Sequence, residues 1–252
     1  MKVNFSIIFL IFSIIIQAQP LRIMTYGDSR ADTQGGSGNA GDMNDPALGP
    51  LPQQNGFTSQ RAAPDVALLL GDAEIVSNGG ASGLTSTGWN GTNRLGTGRV
   101  YANVISIPSD VALIQFGIND INQSVTSLAT QTTVVNNSVA AQKALITQLL
   151  ADGRKVVWET TMQCSQTRYG TYAVLRRDAC DSINNKMLPW IKSHAQYGTN
   201  LLESDIRALT NLHGLTTGDY LDTTVFSTDG CHLNWVGSFR VAKVTATAVR
   251  TM

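Results

Sequence analysis

Charged side chains are scarce in this 252-residue chain, at 14% against roughly 25% in average soluble domains. The hydrophobic share of 42% is ordinary, which excludes a disordered or polyelectrolyte chain. Eighteen Lys and Arg balance 18 Asp and Glu, so no net field draws phosphate or anionic lipid, and nucleic-acid binding is set aside. The sequence also lacks a GxxxxGK[ST] loop, a Gly-x-Gly-x-x-Gly turn between strand and helix, HExxH and GxSxG. Nucleotide-loop and zinc-protease readings drop out with them. No repeat, heptad or inter-domain linker is present, and the length suits one α/β domain.

Long apolar runs are few as well. The longest, residues 5–16, follows Lys2 and precedes Gln17-Ala18-Gln19, which offers a small residue for cleavage. Residues 1–19 therefore read as a secretory signal peptide. The alternative, a membrane anchor, needs roughly 20 apolar residues to span a bilayer. The expected product is a single domain over 20–252, extracellular or periplasmic, with no stable membrane insertion after cleavage. Cysteine is limited to Cys164, Cys180 and Cys231, with no CxxC and no zinc spacing. In an oxidising compartment Cys164 and Cys180 are the expected pair, because they bracket a polar, loop-like stretch. Three reduced, buried thiols are the alternative.

What is present is an alternation of short apolar runs with helical patterns. Runs at 21–26, 73–77, 111–116, 155–161 and 200–203 suit buried strands. Between them, 132–151 places Val135, Val139, Ile146 and Leu150 on one helical face, and Gly153 stops the pattern. Pro64 and Asp65 suit the start of a short helix over 64–70. In the last helix Trp235, Phe239, Ala242, Ala246 and Val249 share one side. Strands alternating with helices imply right-handed βαβ units, hence a three-layer α/β/α sandwich around a mostly parallel, flavodoxin-like sheet of five strands. Ligands then bind at the carboxyl ends of the strands. Residues 30–60 interrupt the pattern with Gly, Pro, Asn, Gln and Asp, as a long functional loop would.

The chemistry-bearing residues sit at those strand ends. They are Gly27-Asp28-Ser29 after the first run, Ser82-Gly83 after the second, Gly117-Ile118-Asn119-Asp120 after the third, and Asp229-Gly230-Cys231-His232 before the last helix. A serine hydroxyl at a tight strand-to-helix turn is a poor nucleophile until a base takes its proton, and His232 is such a base. Asp229, three residues earlier, can accept from the second imidazole nitrogen and fix its tautomer. Asp28 and Asp120 read as structural acids holding their turns. Cys231 reads as a small buried filler, and Arg30 as a cation beside the serine or a solvent-facing side chain.

The order of these four blocks over nearly the whole mature chain resembles the SGNH hydrolases, the GDSL esterase/lipase family. The resemblance implies Ser29, Asp229 and His232 as the catalytic triad. It also implies an oxyanion hole formed by the N–H of Ser29, the N–H of Gly83 and the side-chain amide of Asn119. No metal or organic cofactor is expected. The expected activity is that of a secreted serine esterase acting on short-chain acyl esters, acetyl first, on carbohydrate. The insertion after Ser29 carries only Met43, Leu48, Leu51 and Phe57 as large apolar groups, which suits a polar ligand better than a long acyl chain. Trp89 is a residue for stacking on a sugar or, equally, for packing on the domain. An extracellular lipase or lysophospholipase is the alternative within the family, and a non-catalytic carbohydrate-binding relative the alternative outside catalysis.

Overall fold

The computed structural model describes residues 19–28, 31, 62–80, 83–90, 101–164, 166–207, 230–233 and 235–252. Among them five strands form one sheet: β1 (Leu21–Gly27), β2 (Ala73–Gly80), β3 (Val111–Gln115), β4 (Lys155–Glu159) and β5 (Leu201–Ser204). Their order is β2-β1-β3-β4-β5 and every pairing is parallel, which is the flavodoxin-like arrangement. The described helices are α1 (Ala62–Leu70), α2 (Tyr101–Ser106), α3 (Ile118–Ser124), α4 (Leu128–Ala151), α5 (Gln166–Tyr169), α6 (Ala173–Ser193) and α7 (Trp235–Thr251).

The central strands β1, β3 and β4 form because their short apolar runs are buried on both faces, as a central parallel strand requires. Alternate residues then serve two different cores. Met24, Tyr26, Ala112, Ile114, Phe116, Val156 and Trp158 face α4 and α6, meeting Val135, Val139, Leu145, Ile146, Leu149, Ile183 and Met187. Ile23, Val111, Leu113 and Val157 face the other way, against Val66 of α1 and Ala242, Ala246 and Val249 of α7. The 3.6-residue period of α4 fixes which of its side chains point inward, and Ser127 caps its start through Thr130.

In α7 the buried face is Val241, Ala242, Thr245, Ala246 and Val249, whereas Phe239 is 40% exposed. The helix is rotated from the expected stripe because Val241 joins a separate apolar cluster with Met162, Ile206 and Leu233. Among the described residues no helix is long and apolar enough to cross a membrane.

In this strand order the chain leaves β1 toward one face and β3 toward the other, so their carboxyl ends open a crevice between them. α1 follows β1 on the α7 side, and α4 follows β3 on the opposite side. Gly27 and Gln115 are partners in register at that point.

Candidate active site

The turn after β1 is tight for a steric reason. A side chain at Gly27 would collide with the carbonyl oxygen of Gln115 and stand 2.7 Å from the Cβ of Ala31. Glycine there lets Asp28 N–H donate to Gln115 O (3.1 Å), while Ala31 N–H donates to Asp28 O (3.1 Å). Asp28 is buried. Ser29, which lies between these two residues in the sequence, falls outside the described residues, as do Arg30, Asp229, the signal segment 1–18 and the insertion from Asp32 to Gln60.

Gly83 and Asn119 come together. Gly83 has φ +75°, a backbone region that disfavours side chains. Its carbonyl accepts from Gln123 Nε2 (3.0 Å), and the next carbonyl, of Leu84, accepts from Asn119 Nδ2 (3.1 Å). Both donors belong to α3, so one short helix holds the Gly83 loop from below. The helix start is itself positioned by Gly117, where a Cβ would lie 2.7 Å from Thr161 Oγ1, while that hydroxyl donates to Phe116 O (2.8 Å).

Behind this loop runs a buried chain of hydrogen bonds. Asp120 accepts from Ser86 N–H (2.8 Å) and Ser86 Oγ (2.7 Å). The chain continues through Ser86 Oγ and Ser138 Oγ (2.9 Å) and Gln142 Nε2 to Ser138 Oγ (3.1 Å), and ends where Trp158 Nε1 donates to Gln142 Oε1 (2.7 Å). Burial raises the Asp120 carboxyl above its ordinary range, and the two bonds from Ser86 pull the other way. Asp120 thus fastens the loop to the core, the structural role its position in the sequence suggests.

The histidine turn is held differently, and here the cysteine expectation is corrected. The disulfide joins Cys164 to Cys231, with Cα atoms 4.3 Å apart, not Cys164 to Cys180. The stretch between Cys164 and Cys180 is helical rather than loop-like. Cys180 lies inside α6 on the face turned to the sheet, where its thiol donates to Thr161 O (3.1 Å). Cys164 instead packs with Ile118, Tyr169 and Cys231. Its N–H donates to the Tyr169 hydroxyl (2.9 Å), and Asn122 Nδ2 of α3 approaches its sulfur at 3.9 Å. Cys231 is therefore no mere filler. Its neighbour His232 is half-buried, and the next residue, Leu233, packs with Met162, Ile206 and Val241 beyond the carboxyl ends of β4 and β5.

Glu159, the last residue of β4, lies inside the apolar run 155–161 and belongs to no motif that marks it in the sequence. It is buried, and Thr245 of α7 donates to its Oε1 (2.7 Å), with Ser204 Oγ 2.9 Å from the same Thr245 hydroxyl. Burial pushes this carboxyl up to about 7; the Thr245 bond opposes the shift and the Asp28 charge adds to it. Ser86 carries no sequence signal either, because its role depends on Asp120 reaching back from α3. Trp89 packs edge-on against Tyr101 with centroids 4.8 Å apart, and its carbonyl accepts from the Tyr26 hydroxyl, so it belongs to the domain rather than to an open stacking platform.

No family model matches the chain, and no curated protein matches it either. Solved structures do. A lipolytic protein of the G-D-S-L family from Desulfitobacterium hafniense aligns over 90% of this chain and 98% of its own at 14% identity, with a TM-score of 0.58. An acetylxylan esterase from Geobacillus stearothermophilus aligns over 91% and 94% at 15% identity, TM-score 0.57. A carbohydrate esterase of family 3 from Talaromyces cellulolyticus aligns over 91% and 96% at 13% identity, TM-score 0.56. The fold is that of the SGNH hydrolases. On this fold the described candidate residues Gly83, Asn119 and His232 follow the strands β2, β3 and β5 in the chain. The Ile118–Cys231 packing sets the histidine turn beside the helix that carries Asn119.

Proposed function

We propose that the protein is a secreted serine esterase that removes short acyl groups, acetyl first, from carbohydrate. The observation that carries this reading is the pairing of the Gly83 loop with Asn119 at the β1/β3 crevice. An amide nitrogen has two hydrogens. Asn119 Nδ2 spends one on Leu84 O, which fixes its orientation, and keeps the other for a developing oxyanion.

In the proposed reaction Ser29 Oγ attacks the ester carbonyl carbon and its proton passes to His232. The carbonyl oxygen becomes an oxyanion bound by the N–H groups of Ser29 and Gly83 and by Asn119 Nδ2. The intermediate collapses, the C–O bond to the alcohol breaks, and His232 gives its proton to the leaving oxygen. Water then attacks the acyl-serine, again losing its proton to His232, and the free acid leaves as the serine is reprotonated. Asp229 accepts from the imidazole throughout. The few apolar residues of the 30–60 insertion favour a polar alcohol over a lipid, as do the acetylxylan esterase and carbohydrate esterase among the similar folds. Trp89 lends the carbohydrate reading no support.

The test is kcat/KM across p-nitrophenyl esters from two to twelve carbons, beside acetate release from acetylated xylan. Highest efficiency on the acetyl ester with acetate released from the glycan is expected. Efficiency climbing to the long chains, with no acetate released, replaces this reading by a lipase.

A further inference from the structure

We infer that the Cys164–Cys231 disulfide is a positioning element for the base, so that the protein hydrolyses esters at full rate only in its oxidised form. The inference rests on the proposed reaction, in which His232 moves the proton. Cys231 is the residue immediately before His232, so whatever fixes one backbone fixes the other. Its partner is anchored in turn: Cys164 N–H is held by the Tyr169 hydroxyl, and its sulfur is met by Asn122 of α3, the helix that also carries Asn119. The covalent bond therefore ties the base to the oxyanion side of the site through one short bridge. On the far side of His232, Leu233 forms a β-bridge and packs with Met162, Ile206 and Val241, so the disulfide is the covalent anchor on the near side of the base.

A general base must stand within hydrogen-bond reach of the proton it takes, and a displacement of about 1 Å can cost roughly 10²-fold. Two thiols cannot remain at S–S bonding distance, so opening the bond releases the turn on that side. The opening is a two-electron step. A small-molecule dithiol supplies two electrons and two protons, the S–S bond breaks to give two thiols, and the dithiol closes to its own disulfide.

The experiment uses the full chain, oxidised, reduced with dithiothreitol, and reoxidised with oxidised glutathione, alongside Cys164→Ala, Cys231→Ala and the control Cys180→Ser. Thiol titration should find the third cysteine, Cys180, as the sole thiol of the oxidised protein. Reduction and either alanine variant should lower kcat for p-nitrophenyl acetate by roughly 10- to 100-fold with KM within about twofold, and move the acid limb of the pH profile. Reoxidation should restore the wild type, and Cys180→Ser should keep the full rate. The imidazole NMR signal of His232, identified by its loss in His232→Gln, should be sharp and dispersed when oxidised. It should collapse toward a solvent-averaged position when the bond is opened, at a temperature where circular dichroism is unchanged. Full turnover in protein shown to be reduced overturns the inference. If the oxidised wild type hydrolyses no ester, the proposed reaction falls by itself. The His232 signal then decides the disulfide: unchanged on reduction, it overturns positioning, and collapsed, it upholds it.

Discussion

The Gly83 loop and the 230–233 turn lie at the same end of the sheet, yet they are fixed by different forces. The loop is fastened by hydrogen bonds that run from Asp120 through Ser86, Ser138 and Gln142 to Trp158, all of them buried. Such a network is directional and indifferent to redox state, and it weakens if one member is lost, because the rest are left buried and partly unsatisfied. The turn is tied by a covalent bond at Cys231, with Leu233 set by a β-bridge and an apolar cluster. That bond is insensitive to a lost hydrogen bond but answers to the redox state of the compartment. In the proposed esterase the oxyanion donors stay fixed at all times, whereas the base is conditional on the oxidised bond.

The largest effects should come from removing the chemistry itself. Ser29→Ala and His232→Ala are each expected to cut kcat for p-nitrophenyl acetate by about 10⁶-fold with the fold intact, since such groups act as a unit. Asp229→Asn should lose somewhat less. Wild-type-like turnover in either of the first two removes the nucleophile and base assignments. On the loop side, Asn119→Ala should cost about 10²- to 10³-fold in kcat, the usual loss of one oxyanion donor. A change confined to KM would instead make Asn119 a substrate anchor.

How far these positions were readable from the chain alone differs between the same two regions. All five strands were legible, the central ones most plainly because strands buried on both faces appear as bare apolar runs such as 111–116. The places of the Gly83 and Asn119 blocks after β2 and β3 were legible as well, since each block is local to a single turn. The disulfide was not. Its partner choice depends on α6, whose inward face mixes Cys180 and Asn184 with Ile183 and Met187, so its period is diluted and the segment looks like a polar loop. Glu159 was hidden because only tertiary packing brings Thr245 over it.

Stability measurements sharpen the contrast further. Opening the Cys164–Cys231 bond, which closes a loop with a sequence separation of 67, should cost about 4 kcal/mol in the chain-entropy account. Urea unfolding of the oxidised and reduced protein checks this, and equal midpoints would refute it. The pH dependence belongs to the sheet between the two regions. Unfolded, Glu159 ionises near 4.5, but folded only near 7. Between those values the unfolded chain has lost a proton that the fold retains, so stability falls as pH rises through this window and stays lowered above it. The size is roughly 3 kcal/mol, and Glu159→Gln should remove the slope. A Gln variant with the wild-type slope would place the titration elsewhere. The smallest effect belongs to the network. Ser86→Ala should destabilise by about 1–3 kcal/mol in urea unfolding, because Asp120 and Ser138 both lose the buried Ser86 hydroxyl while Ser86 N–H still holds Asp120. An unchanged midpoint would remove the network from the stability of the loop.

The position of Cys180 has a consequence for the order in which the protein is made. Synthesis delivers Cys164 first, then Cys180, and Cys231 only after α6 and β5 have emerged. For that interval the first thiol meets the wrong partner before the right one exists. Coiling of α6 turns Cys180 onto the sheet and engages its sulfur with Thr161 O, so the helix acts as a protecting group. In the folded protein it keeps the second thiol out of reach of Cys164, which is left to Cys231.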